Sequence, residues 1–299
     1  MSLISLFLHQ KKALAGLVII VALCLMALLA PLLAPGSPSA RVGRSHQPPS
    51  VEHVMGTTKM GRDVYTQFVW GARNSLAVGF ATGVAITVLG TVIGLVAGYA
   101  GGRTDATLDL VTNAVLVIPN LPLLILLASL SGTVGPGIIM AIIALTSWPW
   151  GARMTRSQTL TLKERDFITA ARMVGEPAWR ILFVELVPNL MPLIGINLVG
   201  SIIYAIVAQT TLEYLGFGDP LQVSWGTMLY NAQNSSAIIL GAWWDIGAPA
   251  AGIALTGLGL ALINFTFDEV ANPQLRSGPA LGRWLRLTRR RNRMLESRS

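Results

Sequence analysis

The side chains that most often carry out chemistry in proteins are few in this chain and lie far apart. The sequence has one cysteine, Cys24, and three histidines, His9, His46 and His53. A single cysteine excludes an intramolecular disulfide and a cysteine-based zinc site. The HExxH zinc motif, the GxSxG nucleophile motif and the GxxxxGK(S/T) phosphate loop are also absent. We therefore expect a protein that is not an enzyme, does not hydrolyse nucleotide itself and uses no metal or cofactor.

Carboxylates are the other candidates for chemistry, because a proton-coupled carrier usually needs a titratable group inside the membrane. The long uncharged stretches of this sequence contain none at their centres, and Asp109 and Glu213 fall beside the ends of such stretches. A proton relay is therefore not predicted. Movement of a solute by this chain would need an energy source outside it.

The composition is that of a polytopic membrane protein. Of the 299 residues, 53% are hydrophobic and 12% are charged, about half the charged fraction of an ordinary soluble domain. A helix needs about 20 apolar residues to cross the hydrocarbon layer. Five uncharged runs meet that length: residues 13–34, 74–102, 110–152, 186–212 and 246–267. The third run is interrupted by a polar, glycine-rich segment at 131–136 and holds two spans, so the predicted fold is all-α with six transmembrane helices.

The segments between these runs divide the chain into four parts. They are residues 1–36 (an N-terminal cytoplasmic segment and the first helix), 37–74 (an external segment), 75–272 (a five-helix core) and 273–299 (a basic tail). The first apolar run is too long for a signal-peptide core and is predicted to be a retained helix. Within the core, residues 213–245 form an external loop. Their uncharged but polar part, 220–244, is predicted to be a loop or a short re-entrant segment.

The basic residues indicate the orientation, since cytoplasmic loops of membrane proteins are enriched in lysine and arginine. Of the 22 basic residues, 17 fall on the side that holds the N-terminus and 5 on the other side. Both termini are therefore expected to be cytoplasmic. No basic stripe with interleaved aromatic residues occurs outside the tail, so the lipid bilayer and not nucleic acid is the predicted partner. The tail itself suits either anionic lipid or solvent.

Two local patterns bear on packing and on partner binding. Gly90, Gly94 and Gly98 recur every four residues, which puts small residues on one helix face and lets another backbone approach closely. This face either packs statically or slides during transport. The internal loop at 153–185 contains good helix formers that stop at Gly175, followed by Pro177, and this predicts two short helices joined by a tight turn. Such a hairpin is either solvated or a docking element for a partner.

Several motifs stand along the chain. They are DFITAARMVG at 166–175 with Pro188-Asn189 downstream, MGTTKMGRD at 55–63 before GAR at 71–73, GYAGG at 98–102, and LGFG at 215–218 with WG at 225–226. With them the chain resembles the inner-membrane permeases of bacterial ATP-binding-cassette (ABC) importers that work with a binding protein, in the dipeptide, oligopeptide and nickel branch. The motif at 166–175 is similar to that family's "EAA" signature, although Thr169 stands where the signature most often has an acid.

The resemblance implies a type I, MetI-like permease fold and location in the bacterial cytoplasmic membrane. It also implies an importer made of this permease, a second homologous permease, two cytoplasmic ATP-binding subunits and an extracellular solute-binding protein. Ala170, Ala171 and Gly175 would then dock on an ATPase and couple its cycle to transport. Glu213 and Asp219, in the acidic external loop, either pair with basic groups of the binding protein or belong to a solvated cap over the helices.

The substrate and the mode of transport stay open on the residues alone. Peptide uptake is the first choice. Gln209 and Glu213 differ from what peptide permeases tend to have, and such variants look like members assigned to oligosaccharides, so oligosaccharide uptake is the alternative. A self-contained channel or secondary carrier would also show six spans but would need no docking hairpin, and a membrane scaffold would show the hairpin without flux.

Overall fold

The computed structural model describes residues 10–132 and 135–271, with side chains as far as residue 267. Over these residues the chain is helical, and the single isolated β-bridge joins Thr57 to Asp63. The helices are α1 (Lys11–Leu28), α2 (Ala30–Leu33), α3 (Val64–Ala100), α4 (Gly102–Val117), α5 (Asn120–Ser131), α6 (Pro136–Lys163), α7 (Asp166–Met173), α8 (Ala178–Arg180), α9 (Val187–Tyr214), α10 (Trp225–Asn234) and α11 (Trp243–Ala271). A π-helix, Ile181–Leu186, joins α8 to α9. The all-α prediction is confirmed, and the predicted tail at 273–299 lies outside the described residues.

Length and apolarity single out the segments that can cross a membrane. Four helices qualify on their own: Lys11–Leu28, Val64–Ala100, Ala178–Tyr214 and Trp243–Phe267. A fifth crossing forms if α4 and α5, which are bent by 87° at their junction, act as one broken span. The remaining long helix, α6, runs beside α3, but its second half carries charged residues. The described residues thus contain four helices that are apolar enough to cross a membrane, or five spans if the bent pair counts as one, against six in the prediction.

The predicted break between the third and fourth spans is only part of what the structure shows. The chain also breaks at Ile118 and Pro119, because Ile118 takes an extended conformation ahead of a proline that cannot donate a backbone hydrogen bond. The predicted loop at 153–185 is likewise shorter, since α6 continues to Lys163. Only α7 stands apart as a short helix, while α8 leads through the π-helix into α9.

The start of α3 shows why its predicted boundary at residue 74 was late. Asp63 is the N-cap, and its Oδ2 accepts hydrogen bonds from the Thr66 backbone N–H at 2.8 Å and from the Thr66 hydroxyl at 2.7 Å. The polar first turns are held by hydrogen bonds to the preceding segment. On α3, the Gln67 side chain donates to the Pro38 carbonyl, and the Trp70 indole N–H donates to the Ala34 carbonyl. The first three turns of α3 are therefore helical although they lie outside the apolar run.

The glycine face of α3 packs directly on α6. A Cβ atom at Gly90 would lie 2.9 Å from the Trp148 carbonyl oxygen, and one at Gly94 would lie 2.5 Å from the Ala152 carbonyl oxygen. Contact at backbone distance is what small residues at a membrane helix interface permit. The glycine spacing therefore lets α3 and α6 pack at backbone distance, and the two helices run side by side in the same direction.

Candidate functional site

The turn that follows α7 has the geometry of a glycine-terminated helix end. Gly175 adopts φ +83°, a left-handed conformation that glycine enters without steric strain. Its N–H donates to the Arg172 carbonyl at 3.0 Å, and the Glu176 N–H donates to the Ala171 carbonyl at 3.1 Å. This pair of bonds is a Schellman motif. The tight turn predicted at Gly175 is confirmed.

A small buried cluster holds α7 against the ends of two long helices. Ile168 has 0% of its surface exposed and packs with Leu95 of α3, with Leu186 at the end of the π-helix and with Leu190 at the start of α9. The guanidinium of Arg172 lies 5.1 Å from the centroid of the Tyr99 ring, at the end of α3. A displacement of α7 therefore acts directly on α3 and α9.

The opposite side of this turn exposes apolar side chains. Met173 and Val174 are 82% and 81% exposed, and Trp179 is also exposed. We call Met173, Val174 and Trp179 the turn patch. Ala170 and Gly175 are exposed beside it, whereas Ala171 is half-buried against the cluster beneath α7. The three predicted docking residues thus lie within one helix end, with Ala170 and Gly175 on the surface and Ala171 on the packed side.

A cavity of about 630 Å³ opens between the α4–α5 break, α6, α9 and α11. Its polar lining consists of amide and hydroxyl side chains: Asn120, Thr146, Ser147, Asn197, Ser201, Tyr204 and Asn264. The described lining contains no charged residue. Pro149, inside α6, and Pro119 also line it, and each removes a backbone N–H donor at the cavity wall. The cavity is therefore neutral and suited to uncharged hydrogen-bonding groups.

Charged side chains tie α4 to α6 beside the cavity. Arg156 forms a two-pronged ion pair with Asp105, at 2.5 Å and 2.9 Å, and a longer contact with Asp109 at 3.5 Å. Arg153 donates to the Asn113 side chain at 2.6 Å. Two parallel bonds between an arginine and a carboxylate fix geometry as well as charge. Asp109 is thus engaged in helix packing, in agreement with the absence of a predicted relay.

The loop after α9 does not present Glu213 as expected. This side chain is 3% exposed, and its carboxylate accepts hydrogen bonds from Gln209 at 2.9 Å and from the Ser224 hydroxyl at 2.5 Å. Glu213 therefore anchors the start of α10 and is not an accessible contact for a partner, because α10 folds back over it. Asp219 is half-buried, and its Oδ1 accepts from the Leu221 N–H.

Trp225, the first residue of α10, joins three long helices at this end of the bundle. Its backbone N–H donates to the Ser75 hydroxyl at 3.0 Å, and its indole N–H donates to the Phe68 carbonyl at 3.1 Å, both on α3. A Cβ at Gly252 of α11 would lie 2.7 Å from the Trp225 ring. With Ser224 bonded to Glu213 of α9, the start of α10 fastens α3, α9 and α11 together. The predicted loop or re-entrant segment is thus a short helix packed across the bundle.

Sequence comparison decides the family. Residues 90–277, more than half of the chain, match the family described as "Binding-protein-dependent transport system inner membrane component". The chain belongs to this family. Residues 4–49 of this permease further match the "N-terminal TM domain of oligopeptide transport permease C".

Relatives of known description cover almost the whole permease. It is 34% identical over 269 residues to the "Dipeptide transport system permease protein DppC" of Bacillus subtilis, which covers 89% of this chain and 83% of the relative. It is 32% identical to the "Di/tripeptide transport system permease protein DppC" of Pseudomonas aeruginosa, covering 91% of each. It is also 32% identical to the "Oligopeptide transport system permease protein OppC" of Bacillus subtilis, covering 90% and 88%.

A solved structure supports the same fold. The MetNI methionine ABC transporter, in inward-facing conformations, contains a chain that matches this permease with a TM-score of 0.54 and 18% sequence identity. The match covers 68% of this chain and 94% of that chain. The predicted MetI-like permease fold and the predicted ABC importer family are both confirmed.

The segment before α3 ends in a residue that caps the helix. The Asp63 carboxylate lies 3.2 Å from His53 Nδ1 and caps α3. The neighbouring Arg62 lines a recess with Asp245. The helix cap could have been found from the sequence, since an aspartate before a helical run is a preferred N-cap.

Replacing Asp63 with alanine is expected to lower the stability of this permease by about 1 kcal/mol, because the first turn of α3 loses its cap. Asp63→Asn keeps a capping oxygen and should lose less. Thermal unfolding in detergent, followed by a thiol-independent dye, measures both. Equal melting temperatures for the wild type and Asp63→Ala would show that the cap contributes nothing.

Proposed function

We propose that this permease forms half of the membrane path of an ATP-driven importer of short peptides. Its partners in this proposal are a second homologous permease, two cytoplasmic ATPases and an extracellular solute-binding protein. The observation that carries the proposal is the similarity, across nearly the full chain, to permeases named for dipeptides, di/tripeptides and oligopeptides. Substrate passes between the two permeases by alternating access.

The chemistry of the cavity supports a peptide cargo. Short peptides share a backbone of uncharged N–H and C=O groups and differ in side-chain charge. A charged wall would favour some of these side chains and repel others. The described lining, with three asparagines and several hydroxyls, offers donors and acceptors without a fixed charge. Such a wall accepts many sequences.

The turn after α7 supplies the mechanical link in this proposal. The turn patch and the neighbouring Ala170 and Gly175 fit into a groove of an ATPase. Ile168 transmits the movement, since it packs on α3 and on the start of α9. The same α9 lines the cavity farther along, through Asn197 and Tyr204. ATP binding, which favours one arrangement of the ATPases, thereby shifts the permease between its two states.

The decisive experiment uses the complete complex, with both permeases and both ATPases. The complex is placed in nanodiscs for ATP hydrolysis and in proteoliposomes for uptake. ATP hydrolysis and uptake into proteoliposomes are measured with the binding protein loaded with a dipeptide, a tripeptide or an oligosaccharide. Stimulation and uptake by the peptides, with none by the sugar, are expected. Stimulation by the sugar alone would refute peptide import, and uptake without the ATPases would identify a self-contained carrier.

The proposed orientation has its own test. In a Cys24→Ser background, Ser50→Cys lies in the external segment and Thr169→Cys lies on α7, and both positions are exposed. A membrane-impermeant thiol reagent should label Ser50→Cys strongly in intact cells. It should label Thr169→Cys only after the membrane has been permeabilised. Labelling of Thr169→Cys in intact cells would place the turn patch outside and overturn the proposed docking to cytoplasmic ATPases.

A further inference from the structure

Two asparagines in the cavity wall each hold a buried amide atom without a hydrogen-bond partner in the described chain. They are Asn197, on α9, whose Nδ2 is unpartnered, and Asn264, on α11, whose Oδ1 is unpartnered. Both residues line the cavity, and Asn197 is 8% exposed. We propose that these two side chains rotate into the cavity and bind the backbone of the cargo, with Asn197 donating to a peptide carbonyl and Asn264 accepting from a peptide N–H. This inference rests on the proposed peptide import.

The two amides are not explained by helix packing. A buried polar group without a partner destabilises the folded protein, and an apolar side chain of similar shape would avoid that loss. The third asparagine of the cavity behaves differently, because Asn120 accepts a hydrogen bond from the Tyr204 hydroxyl. Asn113, on α4, is also bonded, to Arg153 and Asp109. Within the cavity lining, the buried amide atoms that lack a partner in the described chain are therefore Asn197 Nδ2 and Asn264 Oδ1.

The unpartnered atoms match the chemistry of a peptide group. One is a donor and the other an acceptor, and a peptide unit presents one acceptor and one donor. Neither amide carries a charge, so binding does not depend on the cargo's side chains.

The wall around Asn197 leaves space for such a ligand. Gly151, on α6, faces this amide: a Cβ there would lie 3.9 Å from Asn197 Nδ2 and would touch no other side chain. Gly200, one turn along α9, also lines the cavity and has no atom within 4 Å of its Cβ position. The terminal torsion of asparagine is broad, so a modest rotation turns the amide toward an arriving peptide.

The test compares Asn197→Leu and Asn264→Leu with two polar-to-apolar controls on the same helices, Thr211→Val on α9 and Thr256→Val on α11. Both control hydroxyls bond to carbonyls of their own helix and lie outside the cavity lining. Compared with the wild-type complex and with the same loaded binding protein, each leucine variant should slow tripeptide uptake by about 2- to 13-fold, the range for losing one hydrogen bond. Melting temperatures should stay level or rise, because an unpaired group is removed.

A second arm tests the backbone contact itself. Uptake of a tripeptide is compared with uptake of the same tripeptide N-methylated at one peptide nitrogen, and the ratio is taken in the wild type and in Asn264→Leu. Effects on the binding protein cancel in this double comparison. Methylation should slow uptake more in the wild type than in Asn264→Leu. If a leucine variant does not assemble, Asn197→Ser and Asn264→Ser replace it and should show smaller losses in the same direction.

The outcomes separate the two proposals. Wild-type uptake of tripeptide together with unchanged uptake by both leucine variants would overturn the asparagine site while leaving peptide import intact. An equal methylation ratio in the wild type and in Asn264→Leu would also overturn it. Failure of the wild-type complex to take up any peptide would instead refute the proposed function.

Discussion

A Gly94→Leu substitution should abolish the accumulation of folded permease. A Cβ at this position would lie 2.5 Å from the Ala152 carbonyl oxygen and 2.7 Å from the Thr155 Cβ. Because the first of these is a backbone atom, the clash cannot be relieved by a side-chain rotation, and α3 and α6 would have to separate. We expect a destabilisation of more than about 3 kcal/mol, at the upper end for overpacking.

Membrane yield and fluorescence-detected size-exclusion chromatography measure this loss. Gly257→Leu on α11 is the matched control, since no atom lies within 4 Å of its Cβ position. The control should express and elute like the wild type. A monodisperse Gly94→Leu protein at wild-type yield would mean that α3 and α6 are not in backbone contact.

Gly175→Val should uncouple the permease from its ATPases while leaving it in the membrane. Valine is β-branched and enters the left-handed region, where Gly175 sits at φ +83°, only with strain of about 1–3 kcal/mol. No atom lies within 4 Å of a Cβ at this position, so the effect comes from the backbone alone. The Schellman bonds at the end of α7 would be lost, and the turn patch would be displaced. If binding between the turn patch and the ATPase weakens by about 1.4 kcal/mol or more, uptake should fall by more than about tenfold.

Asparagine supplies the control, because it tolerates left-handed backbone better than valine. Gly175→Asn should retain more uptake and more co-purifying ATPase than Gly175→Val. Membrane yield should be equal for all three proteins. Wild-type uptake and wild-type ATPase recovery by Gly175→Val would remove the turn from the coupling pathway.

Hydropathy predicted the positions of the apolar helices that can cross a membrane, because burial in lipid needs apolar residues whatever the tertiary contacts are. It misplaced helix ends for the same reason. The predicted span at 110–152 stops before Arg153, yet α6 continues to Lys163, since a helix can extend into water once Arg156 finds partners on α4. The break at Pro119 carries a sequence signal, but the 87° bend depends on what packs around it.

The candidate site was predictable where local chemistry controls it. The turn at Gly175 follows from glycine and the nearby Pro177. Burial of Glu213 did not follow, because it depends on α10 returning from elsewhere in the sequence to cover it. The cavity asparagines were missed for a related reason: Asn197 and Asn264 are 67 positions apart in numbering, and only the packing of α9 against α11 places them in one wall. Amide side chains within the apolar runs 186–212 and 246–267 were the available signal.

The fastening of α3, α9 and α11 by the start of α10 determines how these helices can move. Helices that are fixed to one another at one end cannot translate independently, so a rearrangement becomes a rotation about that end. With 28 residues, α9 is about 42 Å long at about 1.5 Å per residue. A rotation of about 5° would then carry its far end, where α7 rests, through about 4 Å. The helices would rotate about the end at Trp225. The same small rotation would then displace residues at the turn patch farther than residues in the cavity, which lie closer to Trp225.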